Sequence, residues 1–132
     1  AWEQTAMGWS IVPWGCRTLL QWIHRRYDAP EIFITENGCA LDDRPSGGKV
    51  DDRKRIAFLH SYLNECHNAI TSGVNLKGYF LWSLMDNFEW ALGYSKRFGV
   101  TYVDFPTGER IPKDSAFWYA DVAKQNTLSP LH

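Results

Sequence analysis

The sequence lacks the marks of several large functional classes. Its three cysteines, Cys16, Cys39 and Cys66, stand at long and unrelated intervals, with no CxxC and no Cys/His pattern of metal-ligand spacing. They read as free thiols, which excludes a disulfide framework or a zinc site. Unpaired thiols favour a reducing compartment such as the cytoplasm. The chain begins "AWEQ" without Met, so its first residues do not bear on targeting. No run is long and apolar enough to span a membrane. No block of like charge occurs either: 14 Lys plus Arg face 15 Asp plus Glu, a net charge of −1. Neither nucleic acid nor a membrane surface is therefore implied as a partner. His24, His60, His67 and His132 show no ligand spacing with acidic residues, and His60 and His67, on nearly one helix face, read as packed or solvated. The Asp-rich loop "LDDRPSGGKVDD" lacks the alternating oxygens and final Glu of a calcium-binding loop. Repeats and low-complexity segments are also missing.

Aromatic residues are plentiful: seven Trp, six Tyr and seven Phe make up 15% of the 132 residues. Most of them must pack a core, but such rings also stack on flat apolar faces, including those of sugars. The length suffices for one modest core. After the loop "MGWSIVPWG", the stretch "CRTLLQWIHRRY" places Cys16, Leu19, Leu20, Ile23 and Tyr27 at helical spacing, and Asp28-Ala29-Pro30 ends it. "IFIT" then reads as a short strand without polar alternation, the kind covered on both faces. Asp51 or Asp52 can cap a long helix whose apolar face is Ile56, Leu59, Leu63, Cys66 and Ile70, closed by Gly73. "LKGYFLWSLMD" gives a second apolar strand and "RFGVTYVDF" a further short one. Pro112 and Asp114 mark the start of a last helix. Helices alternating with buried strands predict an α/β fold with parallel strands. Two long strands are too few to close a sheet, so the chain reads as one portion of a larger sheet or barrel.

Two carboxylates stand out. Glu36 comes where the first strand gives way to Asn37-Gly38, a turn signal that tolerates positive φ. Glu89, followed by Trp90, falls beyond the second strand, on which Trp82 lies. Both therefore belong to the C-terminal ends of parallel strands, the face where α/β folds bind ligands. Glu beside Trp suits a sugar, since a carboxylate accepts two hydroxyl hydrogen bonds and an indole covers the apolar face. Taken alone, the residues leave plainer readings open. Glu36 can stabilise a turn, Glu89 can pair with Lys96 or Arg97, and both tryptophans can be core.

The motifs "FITENG" and "GYFLWSLMDNFEWALGYSKRFGVTYVDF", flanked by "GWSIVPWGCRTLL" and "RIPKDSAFWYADV", resemble retaining β-glycosidases of glycoside hydrolase family 1 across the whole chain. The resemblance implies the C-terminal part of a (β/α)8 TIM barrel, residues 1–132 supplying its last two strands and their helices within a single domain. It also implies a role for each matching residue. Glu36 is the nucleophile of the covalent glycosyl-enzyme and Trp82 the platform under the sugar. Glu89 holds the hydroxyls at carbons four and six, Trp90 donates to the hydroxyl at carbon three, and Phe98 is an apolar wall near the exocyclic carbon. No metal or other cofactor is implied. Cys39 departs mildly from the aliphatic residue or Ala more usual there.

The family's acid/base Glu lies in an Asn-Glu-Pro motif on an earlier strand, and no "NEP" occurs here. The expectation is thus a cleaved or split enzyme, with this chain packed non-covalently against a separate N-terminal portion and inactive alone. Glu89-Trp90 implies an unphosphorylated sugar, with hydrolysis of terminal β-D-glucosides expected first and galactosides or fucosides as side activities. A non-catalytic sugar-binding pseudoenzyme and a transglycosylase using the same intermediate are the alternatives.

Overall fold

The computed structural model describes residues 2–131. Helix α1 (Pro13–Arg26) begins three residues before the expected Cys16, because Pro13 supplies the preset φ of a first helical position. His24, Arg25 and Arg26 fill its last turn, where cations suit the helix dipole. Asp28 and Ala29 then take positive φ of 56° and 54°, ending it where Pro30 predicts. Strand β1 (Ile32–Asn37) follows, then helix α2 (Arg53–Thr71) and strand β2 (Leu76–Leu81). β1 and β2 pair in parallel, with Ile34 opposite Tyr79 and Asn37 opposite Leu81.

One face of this pair carries the packing. Leu20, Cys66, Ala69 and Val74 form a core cluster against which Ile32, Ile34, Leu76 and Tyr79 pack. Cys39, Phe58 and Leu59 form a second cluster with Leu81 and Trp118. The opposite face is open: Phe33 and Phe80 are 52% and 59% exposed. The expected cover on both faces is thus present on one only, because the chain's helices gather on that side.

The buried stripe of α2 is Arg55, Phe58, Leu59, Cys66 and Ala69, turned from the expected one, and Ile70 is exposed. The helix lies between α1 and helix α3 (Asp114–Gln125), and that double contact decides which residues face inward. Likewise Leu19 on α1 and Tyr27 just past its end are exposed, and Leu20 is the buried anchor. Gly73, at φ 97°, closes α2 as expected. Asp52 occupies the N-cap position of α2, but it is the Asp51 carboxylate that accepts an N–H of the first turn, that of Arg53 at 3.2 Å, and the Asp52 side chain makes no such bond. Its carboxylate instead accepts the Ser115 N–H at 2.8 Å and the Ser115 hydroxyl at 2.6 Å, which caps α3.

β2 is shorter than its apolar run suggests. It stops at Leu81, so Trp82 lies one residue beyond the strand, not on it. Residues 83–86 then run beside residues 98–101, joined by Ser83 N–H to Phe98 C=O (3.2 Å) and Asp86 N–H to Thr101 C=O (2.9 Å). The late β-like stretch reduces to β3 (Thr101–Val103), which makes an antiparallel hairpin with β4 (Arg110–Pro112). β4 carries no strand signal in the sequence: Pro112 closes it, and α3 begins two residues later.

Candidate active site

Glu36 is the penultimate residue of β1, at the C-terminal end of the strand pair, where the register with β2 shifts between Ile34 and Asn37. The next residues are fixed by β2. Asn37 C=O accepts the Trp82 N–H at 2.9 Å, and the Tyr79 hydroxyl donates to Asn37 Oδ1 at 2.7 Å. The expected positive-φ turn is not formed: neither Asn37 nor Gly38 is among the described residues with positive φ. Gly38 serves another purpose. A Cβ there would lie 1.8 Å from the Trp82 carbonyl oxygen, so the glycine lets β1's exit cross Trp82's backbone.

Glu36, Trp82, Glu89 and Phe98 line one cleft of about 350 Å³, together with Asn37, Gly38, Trp9, Phe58 and Tyr62. That volume lies within the range of small-molecule sites. Glu89 is held at the start of a tight turn by its own N–H on Gly93 C=O (2.7 Å) and its C=O on Leu92 N–H (2.8 Å). Trp90 does not line the cleft. It sits in the 3-10 turn Trp90–Leu92 with positive φ and is 84% exposed. The surface pairing considered for Glu89 is not formed: Lys96 Nζ donates to Ala6 C=O (2.7 Å), and Arg97 meets Asp86 at 2.6 Å.

A buried ion network lies behind the cleft, and the sequence reading did not find it. Asp43 takes Arg55 at 2.7 Å and Lys113 at 2.6 Å; Lys113 also meets Asp86 at 2.9 Å. Asp86 further accepts Arg97 and the Gly99 N–H (2.9 Å), while Arg55 donates to the carbonyl oxygens of Arg97 (2.9 Å) and Cys39 (3.5 Å). The network thus ties the exit of β1 to the residues beside Phe98. Burial works against the Arg55 charge, yet Asp43 and Asp52 hold its pKa above the ordinary value. Lys113 falls below its ordinary value, because burial and neighbouring Arg55 outweigh Asp43 and Asp86. Burial also pushes the Cys39 thiol up to about 12, which makes it an inert neighbour of Glu36.

Trp9 was missed as well. Its ring, 53% exposed, lines the cleft 6.1 Å from the ring of Phe98 in a tilted arrangement. The only sequence signal was an aromatic residue in the loop "MGWSIVPWG".

The model of the family described as Glycosyl hydrolase family 1 matches residues 1–128. The chain belongs to glycosyl hydrolase family 1. Among curated members, a 1,4-beta-D-glucan glucohydrolase of Thermotoga neapolitana is 54% identical over 127 residues, covering 96% of this chain and 29% of the relative. Beta-glucosidase A of Thermotoga maritima is 54% identical over 126 residues, covering 95% and 28%. A solved beta-glucosidase from Thermotoga maritima in complex with cyclophellitol superposes with a TM-score of 0.95 at 53% identity, over 97% of this chain and 30% of that one. The chain thus spans under a third of the length of these family members. Its fold is the C-terminal part of their (β/α)8 barrel, open along the Phe33 and Phe80 face.

Proposed function

We propose that this chain provides the nucleophile side of an enzyme that hydrolyses terminal non-reducing β-D-glucosides by a retaining double displacement. The observation that carries the reading is the convergence of Glu36, Trp82, Glu89 and Phe98 on one cleft beyond the parallel strands. Beta-glucosidase names among the relatives support it. Glu36 attacks the anomeric carbon and forms the glycosyl-enzyme. Retention requires a second carboxyl about 5–5.5 Å from the first to protonate the leaving oxygen and then activate water. The barrel portion that this chain does not cover supplies it.

Each remaining residue has a part in the same step. Trp82 lies under the sugar ring, with Phe98 as the apolar wall. Glu89 grips hydroxyls remote from the reacting carbon, and that binding energy favours the ring distortion of an oxocarbenium-like transition state. Trp90, 84% exposed and not part of the cleft lining, must turn inward to reach a hydroxyl.

The test is an intact-mass spectrum of the assembled enzyme before and after a 2-deoxy-2-fluoro-glucosyl probe with an activated leaving group. One sugar adduct mapping to Glu36 is expected. Glu36→Gln should lose the adduct and lower turnover by roughly four orders of magnitude or more while keeping its fold. Labelling elsewhere, or near-normal turnover by the variant, would remove Glu36 from the role.

A further inference from the structure

Two thiols that glycoside hydrolysis leaves unused face each other between α1 and α2. Cys16 lies in the first half of α1 and Cys66 in the second half of α2. Three tethers bracket them. The Val12 N–H donates to the Tyr62 hydroxyl (3.2 Å), Arg17 Nε meets Glu65 (3.2 Å), and Gln21 Nε2 donates to Ser72 Oγ (3.0 Å). The partners ascend together on both helices, so the helices run parallel and their register is fixed on both sides of the sulfurs. Cys66 is 4% exposed within the Leu20, Ala69 and Val74 cluster, while Cys16 packs on that cluster from a half-buried position. Both side chains therefore lie in the one seam between the two helices.

We propose that Cys16 and Cys66 form an oxidisable dithiol site, which takes a small disulfide or a hydroperoxide and closes to a disulfide linking α1 to α2. The neighbouring Cys66 thiol lowers the Cys16 pKa against the opposing effects of burial and Glu65, while Cys16 together with burial raises that of Cys66. Cys16 is also the more accessible sulfur, which makes it the attacking thiolate and Cys66 the resolving thiol. With a small disulfide, Cys16 attacks one sulfur, the S–S bond breaks and one thiolate leaves. Cys66 then gives up its proton and displaces the second thiolate from the mixed disulfide. The two protein thiols lose two electrons and two protons, and the oxidant gains them as two thiols. With a hydroperoxide, the Cys16 thiolate takes the terminal oxygen to become a sulfenic acid as the O–O bond breaks and the other oxygen leaves as an alcohol or water, and Cys66 then displaces the sulfenic oxygen as water. Cys39, fully buried with its pKa raised to about 12, stays reduced.

The experiment treats the native assembled enzyme with oxidised glutathione, alkylates it under denaturing, non-reducing conditions and maps the peptides. Expected is a loss of about 2 Da, a linked peptide pair carrying Cys16 and Cys66, and an alkylated Cys39. Cys66→Ala should stop at a mixed disulfide of Cys16 with glutathione, and Cys16→Ser should leave Cys66 alkylatable. If a variant fails to fold, the map of the unsubstituted enzyme decides. Recovery of Cys16 and Cys66 both alkylated would overturn the proposal. So would Cys16 persisting as an unresolved mixed disulfide in the unsubstituted enzyme, or a link that forms only after denaturation.

Discussion

A Cβ built on Gly38 would lie 1.8 Å from the Trp82 carbonyl oxygen and 2.9 Å from its carbonyl carbon, both backbone atoms with no rotamer to yield. Gly38→Ala must therefore move one of two segments, each carrying a wall of the cleft. Overpacking of this kind typically costs about 1–3 kcal/mol, and here the displacement reaches Glu36 through Asn37. The expected outcome in the assembled enzyme is a lower Tm together with a kcat for the proposed β-glucoside hydrolysis reduced by about tenfold or more. Calorimetry and steady-state kinetics would check this, and a variant matching the parent in both would show that the crossing is not what positions the site. The same residue shows how sequence reading goes astray. Asn-Gly is a turn signal through backbone freedom, but the glycine is present for a close approach between two chain segments 44 residues apart. Local propensity carries no information about that distance.

At the scale of the elements, the Asp86 loop and the hairpin behind it depend on buried charge. Asp86 is 3% exposed and accepts from Arg97, Lys113 and the Gly99 N–H. Asp86→Asn keeps the shape but turns one acceptor into an NH2 facing these donors. Removing one member of a buried network typically costs about 3–5 kcal/mol, because the remaining charges are left unpaired. Arg17→Met, which breaks the partly exposed pair with Glu65, should cost under about 1 kcal/mol. Unfolding midpoints of both variants against the parent would check the contrast, and equal losses would refute the division of labour. Little of this network was legible beforehand. The parallel strands and the three helices follow from apolar periodicity, and Glu36 follows from its place at a strand end. Asp43 and Lys113 lie in polar stretches that look like any solvated loop, and Asp86 reads as a plain charge at the end of the apolar run "LKGYFLWSLMD". Only the folded chain brings them together, as it also creates β4, whose three residues pair with an equally short partner.

For the molecule as a whole, buried weak acids set the response to alkali. Cys39 is held at about 12 by burial, and Tyr79 and Tyr119 are raised by burial as well. Cys66 is raised by the neighbouring Cys16 and by burial. Each keeps in the folded state a proton that the unfolded chain releases near its ordinary value of 9.0 or 10.0. Their contribution to stability is therefore complete below pH 9 and is lost as pH rises through the folded values. Cys16 and Lys113, both lowered, act in the opposite direction, but they are outnumbered. Thermal unfolding in the presence of reductant should give a Tm that is level from pH 7 to 9 and falls steeply above. Cys39→Ala should make the fall shallower by about 1.4 kcal/mol per pH unit between 9 and 12, the share of one such group. An unchanged Tm up to pH 11 would mean that these groups reach solvent in the folded state. The consequence extends to the cleft, because Tyr79 donates its retained proton to Asn37, the residue after Glu36. Loss of that proton would release the end of β1 from β2, so activity should decline together with Tm at high pH, without an earlier separate step.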